Sequence, residues 1–529
     1  MLNTLLTASE KQTCKALFRC LLFAFRRFIL ASSIVDYDLI VLGGGSGGLS
    51  CSKAARDCGA RVALVDAVAP SPHGTTWGIG GTCANVGCIP KKLIHHAGIV
   101  GKEVRLSIEG ETLVNVVNDR VKANSWIYRV QLNEKGVKLY TAFASFIDNT
   151  TVKTVSADKK RTETLLRAPY IVIATGLRPR YPAIPGAEHG ITTDDLFWSK
   201  KSPEKTLVVG ANYVALESAG MLADLGHPVD LLIRSRPLKN ISTYVRCYVN
   251  TRCTTGITTD DLFWSKKSPE KTLVVGANYV ALESAGMLAD LGHPVDLLIR
   301  SRPLKKFDQD CVKFVMEALK QHGVNIIYGK EVGKVEQDGD KKKVTFTEVS
   351  NRESVSGDVY DTILWAMGRD PQHSSLNLSA AGVRADPSTN RIVVGKDDRT
   401  SAINIFAIGD VALGRPELTP TAIRSGYLLA QRLFNGGKEL MDYTHVPTTL
   451  FTPLELGTVG HTEEEASELF GAGNVEVYHS HFAPFEYVIP QDQDTALCYA
   501  KHLNLSQKCR FLKANLKTLL LHIGIVWGY

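Results

Sequence analysis

The sequence predicts an α/β chain that carries two dinucleotide-binding units of the strand, turn, helix, strand type, and three observations predict it. Residues 36–66 hold a Gly43-x-Gly45-x-x-Gly48 turn between two apolar strands. Residues 272–299 hold a degenerate version of the same unit. Residues 403–409, INIFAIG, form the continuous apolar run expected of a strand buried on both faces of a parallel sheet.

Composition agrees with such a chain. Its 529 residues are 44% hydrophobic and 22% charged, ordinary globular usage, and at about 150 residues per domain they suggest roughly three to four domains. Lys plus Arg number 61 against 54 Asp plus Glu, a small excess without long basic runs, so no nucleic-acid partner is expected. No stretch reaches the roughly 18 to 20 consecutive apolar residues of a membrane-spanning helix. The 11 cysteines are scattered and form no CxxC…CxxC set, so most are expected as free thiols and no metal site is expected.

Residues 1–35 stand apart as an N-terminal extension. Lys11, Lys15, Arg19, Arg26 and Arg27 face one acid, Glu10, with Leu and Phe interleaved. That pattern resembles a mitochondrial presequence; an unstructured leader is the alternative and a secretory signal the third reading.

In the first unit, a strand over Leu39–Leu42 runs into Gly43, Gly45 and Gly48, a helix follows, and a second strand ends at Asp66. The glycines tighten the turn and let the backbone approach a pyrophosphate at the helix N-terminus. The acid is placed to accept from a ribose hydroxyl.

Residues 80–92, GGTCANVGCIPKK, come next. Cys83 and Cys88 are spaced more widely than a zinc knuckle, and no His or second Cys pair stands at zinc spacing. A redox-active pair fits, with two unrelated buried cysteines as the alternative. Pro90 suits the first turn of a helix, whose N-terminal dipole would lower a nearby thiol pKa.

Residues 190–239 and 256–305 are identical at every position. Solenoid repeats diverge, so we read a duplicated coding segment rather than a functional tandem. In the second copy, a strand over Thr272–Val275 leads into Gly276, and the next strand ends at Ile299, followed by Arg300, Ser301, Arg302 and Lys305. A guanidinium there would grip a 2′-phosphate, which favours NADPH over NADH; a solvated basic strand end is the alternative. Gly210, Arg234, Arg236 and Lys239 are the counterparts in the first copy. The second copy runs directly into the helix and strand of residues 306–329, whereas the first is followed by the unpatterned residues 240–255. The second copy is therefore expected in place and the first as an extruded loop.

GGTCANVGCIPKK resembles the active-site segment of the flavin-dependent pyridine nucleotide disulfide reductases, which include glutathione reductase, lipoamide dehydrogenase and the high-molecular-weight thioredoxin reductases. TTWGIGG at 75–81, the LVVGANYVALE and IRSRPL stretches, and TPLELGTVG at 452–460 are most similar to the thioredoxin reductase branch, with glutathione reductase the runner-up. ATGLRPRYPAIPG at 174–186 resembles the connection from a flavin domain to a nicotinamide domain, and residues 403–426 resemble the second flavin fingerprint. The likeness covers residues 36–501, interrupted by the duplication.

The resemblance implies two nested Rossmann-like FAD- and NAD(P)-binding domains plus an incomplete α+β dimerisation domain. The FAD domain would comprise 36–187 and 366–442, the NADPH domain 188–365 and the partial interface domain 443–501, with 502–529 a non-family tail. It implies FAD and NADPH as cofactors, a homodimer, thioredoxin or another small disulfide acceptor as partner, and a mitochondrial or cytoplasmic location. Cys88 would be the charge-transfer thiol beside the flavin and Cys83 the interchange thiol. Lys91 would stand near flavin N5, paired with Glu283 or its copy Glu217, unless the two form only a solvated surface pair. Tyr279, or Tyr213, would cover the nicotinamide pocket. Gly43, Gly45, Ser46, Gly48, Asp66, Thr82, Thr175, Gly176, Gly409 and Asp410 would hold FAD, Asp410 by bonding the ribityl chain. Gly276, Tyr279, Arg300 and Lys305 would hold NADPH.

The departures also carry expectations. The family's HPxxxE segment is absent; the only HP pairs, His227 with Pro228 and His293 with Pro294, lie in the duplicated stretch. Cys498 and Cys509 lack the adjacency of a C-terminal redox pair. Flavin reduction by NADPH without efficient thioredoxin turnover is therefore expected. An NADPH diaphorase or oxidase, and an inactive truncated product, are the competing readings.

Overall fold

The computed structural model describes residues 34–93, 110–196, 206–210, 229–232, 272–275, 295–299, 303–304, 307–321, 324–339, 341–360, 362–366, 368–450, 454–482, 498–505 and 522–528. The elements that build its main sheets begin with β1 (Leu39–Leu42), α1 (Ser46–Asp57), β2 (Val62–Val65), α2 (Gly81–Val86), α3 (Gly110–Glu134), β3 (Lys138–Tyr140), β4 (Tyr170–Ile173), β5 (Leu177–Pro179) and α4 (Thr193–Leu196). Then come β6 (Thr206–Gly210), β7 (Val229–Leu232), β8 (Thr272–Val275), β9 (Val295–Ile299), α5 (Gln309–Gln321), β10 (Val324–Tyr328), β11 (Thr362–Ala366), β12 (Arg369–Pro371) and β13 (Ile405–Ala407). The last are α6 (Thr419–Phe434), β14 (Thr448–Leu450), β15 (Leu454–Gly460), α7 (Glu463–Phe470), β16 (Val475–Phe482), β17 (Cys498–Leu505) and β18 (His522–Gly528).

The chain divides into two compact units. The first comprises Met1–Ala67, Arg129–Gly176 and Gln372–Met441. Its centre is a five-stranded parallel sheet in the order β13-β4-β1-β2-β3. Leu39 stands opposite Val62 and Tyr170, and Leu42 opposite Val65 and Ile173. Every residue of β1 and β2 is buried, which is why both read as unbroken apolar runs instead of alternating. Against this sheet α1 and α6 lie close together. A Cβ at Gly426 would fall 2.4 Å from the Gly47 carbonyl oxygen, so only glycine permits that approach.

The second unit comprises Val68–Tyr128, Leu177–Pro371 and Asp442–Tyr529. It holds a six-stranded parallel sheet in the order β7-β6-β11-β8-β9-β10. Both copies of the duplicated segment contribute a strand pair. Leu207 pairs with Asp230 in the first copy as Leu273 pairs with Asp296 in the second, and Leu207 and Leu273 both meet Ile363 of β11. The expectation of an extruded first copy therefore fails for its strands. Identical residues make identical apolar strands, and a central strand has two edges to offer. Val209 also meets Val275, the same residue of the two copies.

A five-stranded antiparallel sheet closes the second unit, in the order β14-β15-β18-β17-β16. β17 extends to Leu505, and β18, drawn from the segment without family likeness, fills the place between β15 and β17. The HIGIVWG run is rich in β-branched and aromatic residues, as a central strand requires. Helix α7 opens on a capping box in which Thr462 accepts from the Glu465 amide and the Glu465 carboxylate accepts from the Thr462 amide. Beside it, buried Lys501 of β17 donates to Asp308 at 3.0 Å and Asp310 at 2.8 Å and pairs with Glu463 at 2.6 Å. Among the described residues, no helix is long and apolar enough to cross a membrane.

Candidate active site

In the first unit, parallel neighbours end on the same edge, so the order β13-β4-β1-β2 brings four strand ends together. Gly409 and Asp410 follow β13, Thr175 and Gly176 follow β4, Gly43 to Ser46 follow β1, and Asp66 follows β2. This carboxyl edge is where open α/β sheets bind ligands. Gly43 has φ +107°, and a Cβ there would fall 2.3 Å from the Ala174 carbonyl oxygen. A Cβ at Gly48 would fall 1.9 Å from the Gly43 carbonyl oxygen, so this glycine lets α1 start hard against the turn. Gly45 caps α1 with extended backbone and Ser46 is its first residue.

Asp66 accepts from the Gly44 amide at 2.8 Å. Loss of water pushes its carboxyl above the usual range, while the Gly44 amide and the Arg129 charge pull it back. The Thr175 hydroxyl is buried and has no hydrogen-bond partner among the described residues. The glycine cradle, the half-buried acid and that hydroxyl together fit a dinucleotide pyrophosphate and ribose. At the other end of the edge, Arg391 donates to the Asp410 carbonyl oxygen and to Glu417.

In the second unit, Cys83 lies in α2 and Cys88 begins a further helical stretch, residues 88–93, with Gly87 between them. Pro90 falls in the first turn of that stretch, as its spacing predicts. The thiol chemistry differs from expectation. Cys88 shares a hydrogen bond with Cys83, and this bond, burial and the Cys83 charge raise its pKa well above the usual thiol value, against the pull of Lys91 and Lys92. A neighbouring thiol and a dry setting outweigh the helix terminus. Lys91 is 4% exposed.

Much of what holds this segment escaped the sequence reading. Buried Asn85 donates to the Gly78 and Gly81 carbonyls at 3.2 and 2.9 Å. Ser125 of α3 donates to the Ile79 carbonyl at 2.8 Å and to Asn85 at 3.1 Å. Tyr128, one helical turn on, stands beside Gly80, and burial and the Cys83 charge raise its phenol pKa. Arg369 donates to the Thr82 hydroxyl at 3.2 Å and to the Leu177 carbonyl at 3.0 Å. Upstream, Arg178 lies over the Trp77 ring at 4.7 Å and pairs with buried Asp194 of α4, while Ser71 donates to Asp195. Of these, Trp77, Asn85 and Arg178 fall inside motifs read from the sequence, whereas Ser125, Tyr128, Asp194, Asp195 and Arg369 had no signal there.

Gly43, Gly45, Ser46, Gly48, Asp66, Thr175, Gly176, Gly409 and Asp410 thus share one sheet edge, and Thr82 and Cys83 lie in α2 while Cys88 and Lys91 lie in the helical stretch that follows it. Gly276, Tyr279, Glu283, Arg300 and Lys305, with Tyr213, Glu217, Arg234, Arg236 and Lys239 of the first copy, lie outside the described residues. Gly210 ends β6.

Comparison with known proteins agrees with this geometry. The profile of the pyridine nucleotide-disulphide oxidoreductases matches residues 37–254 and again 249–426, once for each copy of the repeat. The profile of the dimerisation domain of the same group matches residues 446–507. The chain is 40% identical to thioredoxin reductase SEP1 of Emiliania huxleyi over 491 residues, covering 89% of this chain and 85% of that protein. It is 38% identical to thioredoxin reductase 2, mitochondrial, of Drosophila melanogaster over 483 residues, covering 88% and 80%.

Proposed function

Because the chain belongs to the pyridine nucleotide-disulphide oxidoreductase family, we propose that it carries electrons from NADPH through FAD to a Cys83–Cys88 disulfide and on to thioredoxin or another small disulfide acceptor. The observation that carries this reading is the hydrogen-bonded Cys83 and Cys88 pair on a segment fixed by Asn85, Ser125 and Arg369. Bound FAD supplies the two-electron relay from nicotinamide to sulfur. The Gly43 to Gly48 turn binds the pyrophosphate, Asp66 a ribose hydroxyl and Asp410 the ribityl chain.

Two electrons and two protons convert the disulfide to thiols. Cys83 sulfur, as thiolate, attacks the acceptor disulfide; one acceptor sulfur leaves and takes up a proton, and a mixed disulfide forms. Cys88, after losing its proton, attacks Cys83 sulfur, restores the internal disulfide and releases the second acceptor thiol. Lys91 and Lys92 favour that proton loss, and burial of Cys88 opposes it.

The parallel sheet, whose strands all fall within 36–187 and 366–442, supports a flavin domain there, although residues 68–128 and 177–187 belong to the other compact unit. Support for a homodimer comes from the dimerisation-domain match. The name of the Drosophila relative and the basic N-terminal extension support a mitochondrial site of action, with the cytoplasm the alternative.

The test compares NADPH-dependent reduction of a small aromatic disulfide with reduction of a quinone. Cys83→Ser and Cys88→Ser abolish the first and retain the second if the pair is the relay. Equal loss of both, or retention of disulfide reduction, contradicts it; quinone reduction alone in the unaltered chain selects the diaphorase reading.

A further inference from the structure

The guanidinium of Arg391 bridges the two ends of one loop. Nη1 donates to the Asp410 carbonyl oxygen at 2.7 Å and Nη2 to a Glu417 carboxylate oxygen at 2.6 Å. Asp410 lies in the single 3₁₀ turn Gly409–Val411 that follows β13, and α6 begins at Thr419, so the bridge spans the connection between them. The Arg391 side chain is 16% exposed and that of Glu417 35%, which shields the pair in part from water and salt.

The backbone beneath is equally tied. The Ile392 amide donates to the Val411 carbonyl at 3.0 Å and the Leu413 amide to the Ile392 carbonyl at 2.8 Å, making a parallel bridge between Ile392 and Ala412. Arg391 itself leaves a tight turn in which Asp386 accepts from Ser388 and Thr389, and the Asp386 amide donates to the Arg391 carbonyl at 2.7 Å. A planar fork held from behind in this way fixes the separation of its two acceptors. It fixes the plane of the peptide that follows Asp410, and so the backbone that carries the Asp410 side chain.

We propose that Arg391, through its pair with Glu417, is a positioning residue that holds Asp410 and the start of α6 at the spacing a flavin ribityl chain requires. The proposal rests on the flavin reading of this sheet edge. A hairpin staple with no bearing on the cofactor is the competing role, and the two differ in what they move. A staple lowers the melting temperature of the flavin-free chain and leaves flavin affinity alone; a positioning clamp does the reverse.

The experiment measures FAD affinity from the fluorescence regained on dilution of the full-length holoprotein, beside thermal melting of the flavin-free form. Arg391→Met is expected to weaken FAD binding about tenfold or more, in line with loss of charged hydrogen bonds, and Glu417→Gln by a smaller factor. Arg391→Lys, which keeps the charge but cannot fork, recovers part of the loss. Should Arg391→Met fail to fold, Glu417→Gln and Arg391→Lys still carry the comparison. Affinity unchanged in the variants while the unaltered chain binds FAD overturns the clamp. An unaltered chain that binds no FAD overturns the flavin reading itself, a separate outcome.

Discussion

A carboxylate stripped of water must find donors or take up a proton, and Asp195 does some of both. It is fully buried, accepts from Ser71, and has its pKa pushed up to about 6, chiefly by that burial. The folded pKa therefore lies above the unfolded value of about 4. The folded chain holds a proton here that the unfolded chain releases, so stability falls as pH rises from about 4 to about 6 and stays lower above that. Asp195→Asn should abolish this component, worth about 2 to 3 kcal/mol between those limits. Urea melts of both proteins at pH 4 and 7 check it; an equal pH dependence would contradict the assignment. The paired thiols make a second prediction. With its pKa raised, Cys88 should be alkylated by iodoacetamide more slowly than Cys83 in the reduced protein at pH 7, and the gap should close as pH rises, as peptide mapping would show. Gly43, Asp66 and the cysteines were legible in the sequence because each draws its meaning from a few adjacent residues. Ser125 and Arg369 were not, because their partners Ile79, Asn85 and Thr82 are remote along the chain.

Elements formed by remote pairing show the same division. Helix α7 declares itself locally through its capping box, and β1 and β2 through apolar runs of parallel-strand length. β18 does not, since its place between β15 and β17 depends on two strands far from it in sequence. A proline at the centre of that strand tests whether it belongs there: Ile525→Pro removes a ladder hydrogen bond from a central strand and should lower the melting temperature. Little change would mean that the C-terminal sheet closes without it. Lys501 ties β17 to Asp308, Asp310 and Glu463. Lys501→Met leaves those carboxylates without their shared cation and should cost about 3 to 5 kcal/mol, measured by denaturant unfolding. The duplicated strands were legible as strands but misplaced as a loop. Identical residues carry identical pairing preferences, and nothing in a linear pattern shows that one strand will offer both its edges.

At the scale of the whole chain, family membership and the α/β class rest on separate grounds that agree. The two profile matches meet in the stretch between the two copies of the repeat, one ending at 254 and the other beginning at 249, so each copy completes one match. The dinucleotide edge and the thiol pair are each built by their own unit from residues that the motifs name. If both work in one polypeptide, the chain binds flavin and passes its electrons to the thiol pair. The visible spectrum of the purified chain during anaerobic NADPH titration tests this most directly. The expected result is a bound yellow flavin whose band bleaches, with a long-wavelength thiolate-to-flavin absorbance that grows as pH rises toward the raised Cys88 pKa and that Cys88→Ser abolishes. A chain that carries no flavin, or one whose bleaching leaves the same long-wavelength absorbance in Cys88→Ser, would contradict it.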